Sequence, residues 1–223
     1  MKPKKCAIVT TPRSGTHFLR MSLNNHPKMR WAGEFFRSNN KHKILPTHKD
    51  LAEPEGHFAI KDYIYNNTIS PSINKLYYVG FVWHLILDSD LPTSSIDKFI
   101  LLKRRNILYQ LTSLLIATKT DCWRDKKSTQ QVELNIAQLK WFINRENKAH
   151  SDFESWGVEY KTVFYEDLCD SFDETIKSIQ DYLGLDYIRL EPAPLIKQET
   201  RPIQEIISNY EDVKWTLQDM NLH

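Results

Sequence analysis

The sequence predicts an α/β protein, one domain over residues 1–223, whose central and mainly parallel sheet is flanked by helices. Short apolar runs rich in β-branched residues alternate along the chain with longer stretches of helical periodicity. The first apolar run breaks at Pro12-Arg13-Ser14-Gly15-Thr16, a loop of mostly small residues before a helical pattern. A chain of 223 residues is long enough to bury a sizeable core in one such domain.

The first half of the chain supplies most of the predicted strands. The helix after the loop runs from Gly15 to about Asn25, because Pro27 disfavours helix in the residue before it. The polar stretch 37–56 is predicted to be a surface segment that lies over the site. Strands are predicted over residues 7–11, 29–36, 58–61 and 77–84.

The second half alternates strands with longer helices. Residues 98–103 are apolar throughout their middle, which is typical of a central parallel strand. A helix follows over 106–118 with Asn106 as its cap, and a long amphipathic helix is predicted over 129–149. A further strand begins at Val158 and turns into a helix that runs to Gly184.

Composition limits the kind of partner and the compartment. Thirty basic and 28 acidic residues nearly cancel, so nothing in the charge balance favours nucleic acid. The three cysteines match neither a disulfide framework nor a zinc spacing, which predicts reduced thiols and a cytoplasmic protein. No apolar run approaches the ~20 residues of a membrane span, and no signal-peptide core follows the basic first five residues.

The loop after the first strand is suited to an anion. Its backbone N–H groups and the positive end of the following helix point to one place, as a phosphate or sulfate requires. A nucleoside-triphosphate P-loop needs flanking glycines and Lys-Ser/Thr, whereas this loop has one glycine and no lysine. A nucleotide-dependent phosphotransferase, a catalytically silent nucleotide-binding protein and, for the loop alone, an ordinary turn are the alternatives.

The loop resembles the Pro-Lys/Arg-Ser-Gly-Thr/Ser segment of the sulfotransferase family. This resemblance implies a P-loop-like site for the phosphosulfate of 3′-phosphoadenosine 5′-phosphosulfate (PAPS), the co-substrate, with PAP as product and no metal. It implies that the phosphosulfate is held by Arg13, Ser14, Gly15, Thr16 and His17. Arg13 would also stabilise the charge that develops during transfer. The acceptor would be a hydroxyl or amine on a carbohydrate, lipid or small metabolite.

A second motif follows the strand 98–103. Arg105 stands at the strand's end and Ser113 lies about two helical turns further on, so both can face one anion. This spacing of eight is similar to the family motif that binds the 3′-phosphate of PAPS. Arg104 is the alternative arginine, but it leaves a spacing of seven to Ser113.

Further similarities extend over most of the chain. Tyr165, in Tyr165-Glu166-Asp167-Leu168, resembles the family tyrosine that contacts the adenosine, although a tyrosine at the core edge is the structural alternative. Lys197 and Arg201 lie in a stretch similar to the basic loop that closes over the nucleotide in bacterial members, and this resemblance makes both candidates for binding the 3′-phosphate. A solvated charged loop explains the two cations as well.

Two residues are candidates for the base that takes the acceptor's proton. Glu34 lies in Gly33-Glu34-Phe35, which resembles the Gly-Glu-aromatic segment of bacterial sulfotransferases, where the glutamate is the proposed base. His84, at the end of its strand, is the second candidate, since other members use histidine. An acceptor pocket or a packed core would explain the aromatic residues Trp31, Phe35, Phe36, Phe81, Trp83 and Trp123.

Overall fold

The computed structural model describes residues 2–34, 63–64, 67, 69, 74–85, 93–123, 129–194 and 201–222. Five strands in these ranges form one parallel sheet in the order β2-β3-β1-β4-β5. The strands are β1 (Lys4–Thr10), β2 (Met29–Glu34), β3 (Tyr78–His84), β4 (Lys98–Lys103) and β5 (Tyr160–Phe164). The predicted α/β class with a central parallel sheet is confirmed, while the strand predicted at 58–61 lies outside the described residues.

The register brings the carboxyl ends of the strands to one edge. Thr10 of β1 lies beside His84 of β3 and Leu102 of β4, and Lys103 lies beside Phe164 of β5. From β1 the sheet continues to β3 and β2 on one side and to β4 and β5 on the other. The loops after β1 and β4 therefore diverge and leave a crevice, which is where ligands bind in open parallel sheets.

Seven helices in the described ranges surround the sheet. They are α1 (Thr16–Leu23), α2 (Ile107–Thr120), α3 (Ile136–Glu154), α4 (Tyr165–Asp170), α5 (Phe172–Leu183), α6 (Ile203–Ile206) and α7 (Tyr210–Asp219). A single 3₁₀ turn at Thr93–Ser95 precedes β4. None of the described helices is both long enough and apolar enough to cross a membrane.

Both faces of the sheet are buried because side chains alternate along each strand. Ile8 and Ile100 face a core shared with α1 and α5, including Leu19 and Ile179. Their neighbours Val9 and Leu101 face the opposite core, to which α3 contributes Phe153. A third cluster joins α2 and α3 to the C-terminal helices through Leu111, Phe142, Ile206 and Leu217.

Two helix boundaries differ from the prediction. The amphipathic helix predicted from 129 begins at Ile136, where Asn135 accepts a hydrogen bond from the Gln138 N–H at 3.1 Å. The preceding residues are drawn away because Val132 pairs with Ile207 in an isolated parallel bridge. The helix predicted after β5 is interrupted at Ser171 and forms α4 and α5.

Candidate active site at the carboxyl edge of the sheet

The loop between β1 and α1 is folded tightly at the carboxyl edge. Arg13 (φ 67°) and Gly15 (φ 90°) both adopt the left-handed conformation. A Cβ at Gly15 would lie 2.2 Å from Cδ2 of Tyr165, so the ring of Tyr165 leaves room for glycine alone. Gly15 caps α1, whose first turn holds no acidic residue. The first N–H groups of a helix lack partners within it and favour an anion.

Arg13 joins the two motifs that the sequence analysis singled out. Its Nε donates to Ser113 Oγ at 2.9 Å, and its Nη1 donates to the carbonyl oxygen of Trp123 at 2.9 Å. Arg104 Nη1 donates to the Arg13 carbonyl at 3.2 Å. Because a guanidinium only donates, Ser113 accepts here and keeps its own hydroxyl hydrogen for another acceptor. The loop and α2 therefore meet at one place.

The other loop residues have distinct environments. Ser14 is fully buried, and its Oγ donates to the Thr11 carbonyl at 3.0 Å. Ser14 would therefore serve a ligand through its backbone N–H, whereas Thr16 and His17 are half-buried in the first turn of α1. The Nδ1 atom of His17 lies 3.2 Å from an Nη2 of Arg20. The predicted anion-binding residues thus stay together around the start of α1.

Two site residues were missed by the sequence analysis: Gln110 on α2 and Glu146 on α3. Both are buried, and the Gln110 side-chain amide lies within hydrogen-bond distance of the loop and of Glu146. The available signal was a glutamine between the apolar residues Leu108 and Leu111 on the inner side of a predicted helix. Such a position holds a polar residue when that residue has buried partners.

Arg105 and Ser113 have different partners. The Arg105 guanidinium makes two hydrogen bonds to the Asp167 carboxylate, at 2.5 and 2.9 Å, and lies 3.9 Å from the centre of the Phe164 ring. The hydrogen bond from Arg105 lowers the pKa of Asp167. Glu166 accepts from the backbone N–H of Arg105 at 3.0 Å. Both side chains of the Arg105–Asp167 pair are about half exposed, 50% and 43%.

Tyr165 lies between the anion loop and Arg104. Its ring packs against Gly15 and lies 4.9 Å from the Arg104 guanidinium. Burial, followed by a hydrogen bond with Cys169, raises the pKa of Tyr165 to about 12. Burial also lowers the pKa of Arg104. These contacts place Tyr165 beside the anion loop. Its contact with adenosine stays a prediction.

Of the two predicted C-terminal cations, the structure describes Arg201 and does not describe Lys197. The Arg201 guanidinium donates to the carbonyl oxygens of Thr129 and Gln130, at 3.2 and 2.8 Å. Its own carbonyl accepts from the Tyr109 hydroxyl at 3.1 Å. Arg201 thereby ties the C-terminal segment to α2 and to the residues ahead of α3.

Both candidates for the base lie on strands that end at this edge. Glu34 is the last residue of β2, and His84 is the last residue of β3, where it is buried. Between Trp31 and Glu34, β2 has one more residue than β3 has between Gly80 and Val82, which makes a β-bulge. Bulges of this kind redirect a strand near functional sites.

The aromatic residues that are candidates for an acceptor pocket differ in how far they are buried. Trp31, Phe81 and Trp83 are at most 3% exposed and belong to the core, so for these three the packing explanation holds. Trp123 is 44% exposed and shares its carbonyl with Arg13. Phe35 and Phe36 lie outside the described residues. Within the described ranges no three His, Cys, Asp or Glu side chains form a group able to hold a metal ion.

Similarity to known proteins extends along nearly the whole chain, although no family model matches it. Nodulation protein H of Rhizobium meliloti (strain 1021) is 25% identical over 96% of this chain and 91% of its own length. Nodulation protein H of Rhizobium tropici is 24% identical over 95% of this chain and 88% of its own length.

A solved sulfotransferase structure shares the architecture of this chain. The sulfotransferase from Alicyclobacillus acidocaldarius covers 98% of this chain and 92% of its own, at 12% identity and a TM-score of 0.51. A mouse sulfotransferase complexed with PAP covers 83% of this chain and 61% of its own, at 15% identity and a TM-score of 0.47. The chain has the sulfotransferase fold, which the resemblance of its two motifs implied.

Proposed function

We propose that this chain, folded as one domain over residues 1–223, transfers a sulfuryl group from PAPS to a hydroxyl or amine. The acceptor would be a glycan, a lipid or a small metabolite. The observation that carries the proposal is the hydrogen bond from Arg13 to Ser113, since it joins the motif for the 5′-phosphosulfate to the motif for the 3′-phosphate. The sulfotransferase fold supports the same reaction class.

The two ends of the donor are assigned to two parts of the crevice. The N–H groups at the start of α1 and the Arg13 guanidinium would bind the 5′-phosphosulfate. The Ser113 hydroxyl would donate to the 3′-phosphate, because its lone pairs already accept from Arg13. Arg105 would bind the same phosphate in one of two ways. Its guanidinium would either release the Asp167 carboxylate or share its N–H groups between that carboxylate and the phosphate.

The reaction moves one sulfur atom between two nucleophiles. The acceptor oxygen or nitrogen attacks sulfur while the bond from sulfur to the phosphate oxygen breaks, and PAP leaves with that electron pair. The acceptor's proton passes to Glu34, with His84 as the alternative base. Catalysis arises from positioning and from cations placed over the developing charge, and the proposed mechanism uses no metal ion.

The test is a PAPS-dependent acceptor screen followed by mass spectrometry, in which a substrate gains SO₃ and PAP is released. PAP should also raise the melting temperature of the free protein more than ADP or AMP does. Activity should persist in EDTA. Equal stabilisation by PAP and AMP, or phosphate transfer from ATP that requires Mg²⁺, would overturn the proposal.

A further inference from the structure

A buried polar network lies directly beneath the anion loop. Gln110 and Glu146 are 1% and 2% exposed, and Gln110 Nε2 lies 3.1 Å from Glu146 Oε2. Arg145 Nη2 donates to the other carboxylate oxygen at 3.1 Å, and its guanidinium packs over the Phe142 ring at 4.8 Å. The carboxylate is therefore paired on both oxygens, as a buried charge must be if it is not to be strongly destabilising.

Glu146 determines which way the Gln110 amide points. An ionised carboxylate only accepts hydrogen bonds, so Gln110 must present its NH₂ group to it. That NH₂ group also lies 3.0 Å from Thr11 Oγ1, 2.9 Å from the Pro12 carbonyl oxygen and 3.2 Å from Ser14 Oγ. The amide hydrogens are shared between Glu146 below and the loop oxygens above.

These hydrogen bonds close the loop on both sides of Arg13. Ser14 Oγ accepts from Gln110 and donates to the Thr11 carbonyl at 3.0 Å. Arg13 stands between these anchored residues in the left-handed conformation, which is unfavourable for a residue with a Cβ. The network holds the backbone in this shape and thereby fixes where the Arg13 side chain leaves the loop.

We infer that Gln110, oriented by Glu146, is a positioning residue for the anion loop. It does not touch the donor; it sets the direction of the loop N–H groups and of Arg13 before the donor arrives. This inference rests on the proposed function for the identity of the anion. The geometry of the loop itself, however, is measurable without any ligand.

The test compares Gln110→Leu with Gln180→Leu. Gln180 is also fully buried and bonds to a backbone, at the carbonyl and N–H of Ile188, but it lies on α5 away from the loop. Both variants should lower the melting temperature. Gln110→Leu alone should raise the Kd of PAP about tenfold, as expected when a buried hydrogen-bond network that positions charged contacts is lost. Equal PAP affinity in both variants and the wild type would overturn the inference.

The exchanged double variant Gln110→Glu with Glu146→Gln separates positioning from packing. It restores an amide–carboxylate pair and should recover stability relative to Gln110→Glu alone. It also turns an acceptor towards the Pro12 carbonyl, so PAP binding should stay weak. Recovery of both stability and PAP affinity would show that packing alone matters and would overturn the inference.

Hydrogen exchange of residues 11–17 gives a measurement without ligand. These amides should exchange faster in Gln110→Leu than in Gln180→Leu, and equal exchange would overturn the inference. If the wild-type protein binds no PAP, the proposed function fails, while faster loop exchange in Gln110→Leu still supports the positioning role. The two failures are therefore distinguishable.

Discussion

Arg13 Nε donates to Ser113 Oγ across 2.9 Å, although 100 residues of sequence separate the two side chains. The bond has a direction, because the guanidinium has only donors and the hydroxyl must accept. Ser113 therefore keeps one hydrogen for an acceptor on its open side. A phosphate placed there would meet an oriented donor beside a fixed positive charge.

Ser113→Ala should weaken PAP binding about tenfold, the effect of losing one hydrogen bond to a charged group. ADP, which lacks the 3′-phosphate, should lose much less affinity. Isothermal titration of both nucleotides measures the difference. Ser178→Ala is the matched control. Ser178 is likewise a helix residue, but it lies on α5 and its hydroxyl donates to the Thr175 carbonyl at 2.8 Å. Equal losses for PAP and ADP would argue against a 3′-phosphate role.

Asp167→Asn should tighten PAP binding several-fold, because it removes a carboxylate that competes for Arg105. Arg105→Ala should have the opposite effect and should weaken PAP more than AMP. Fluorescence-monitored titration at two salt concentrations measures both changes. Asp181→Asn, which breaks the exposed pair with Lys177 on α5, is the control and should leave PAP affinity unchanged. Weaker PAP binding in Asp167→Asn would contradict the competition.

Gly15→Ala should destabilise the protein by about 3 kcal/mol or more and should abolish PAP binding. The added Cβ would lie 2.2 Å from Cδ2 of Tyr165, and the alanine would also have to adopt the left-handed backbone conformation. Gly157→Ala is the control: Gly157 has φ 66°, and apart from Gly157 and its two neighbours in the chain no heavy atom lies within 4 Å of the added Cβ. Only the backbone cost of about 1 kcal/mol is expected there. Similar urea midpoints for the two variants would show that the Tyr165 contact is unimportant.

Glu34→Gln should lose nearly all sulfuryl transfer while it keeps the PAP affinity of the wild type. The amide is isosteric but cannot take the acceptor's proton. His84→Gln tests the second candidate by the same pair of measurements, the rate of PAP release and the Kd of PAP. Full activity in Glu34→Gln together with an inactive, PAP-binding His84→Gln would transfer the role to His84.

Acid should destabilise the fold through His150. Burial, and secondly the nearby Lys103, lower the pKa of His150 from 6.5 to about 4, while Glu154 opposes this. The unfolded chain therefore binds the proton more readily, and stability is complete above pH 6.5 and is lost as the pH falls towards 4. The loss is on the order of 3 kcal/mol.

Urea unfolding at pH 7 and pH 4.5 measures this loss. His150→Gln should flatten the dependence without removing it, since burial also lowers the pKa of His26. An unchanged pH dependence in His150→Gln would contradict the assignment.

Local signals made most of the fold predictable. The Pro12-to-Thr16 loop, the apolar strand 98–103 and the cap at Asn106 are readable from neighbouring residues, and the structure has each of them close to the predicted bounds. The sequence also predicts that the site residues lie at one edge of the sheet, because all parallel strands of one sheet end on the same side.

Partners distant in sequence were not predictable in the same way. The helical periodicity predicts a start of α3 that is too early, because the pairing of Val132 with Ile207 overrides that periodicity. The Asp167 partner of Arg105 is 62 residues away, and Glu146 is 36 residues from Gln110. A pattern along the chain shows that a residue is polar and buried, but not which side chain meets it.

β1 lies in the middle of the sheet, but both strands that pair with it are synthesised later. Among the described strands β1 comes earliest in the sequence, yet its hydrogen-bonded neighbours are residues 78–84 and 98–103. The backbone N–H and C=O groups on both sides of β1 therefore stay unpaired in the nascent chain until β3 and β4 have left the ribosome. Fragments that end before Lys98 keep one edge open for pairing with another chain. Truncation there should give aggregation rather than a smaller folded unit.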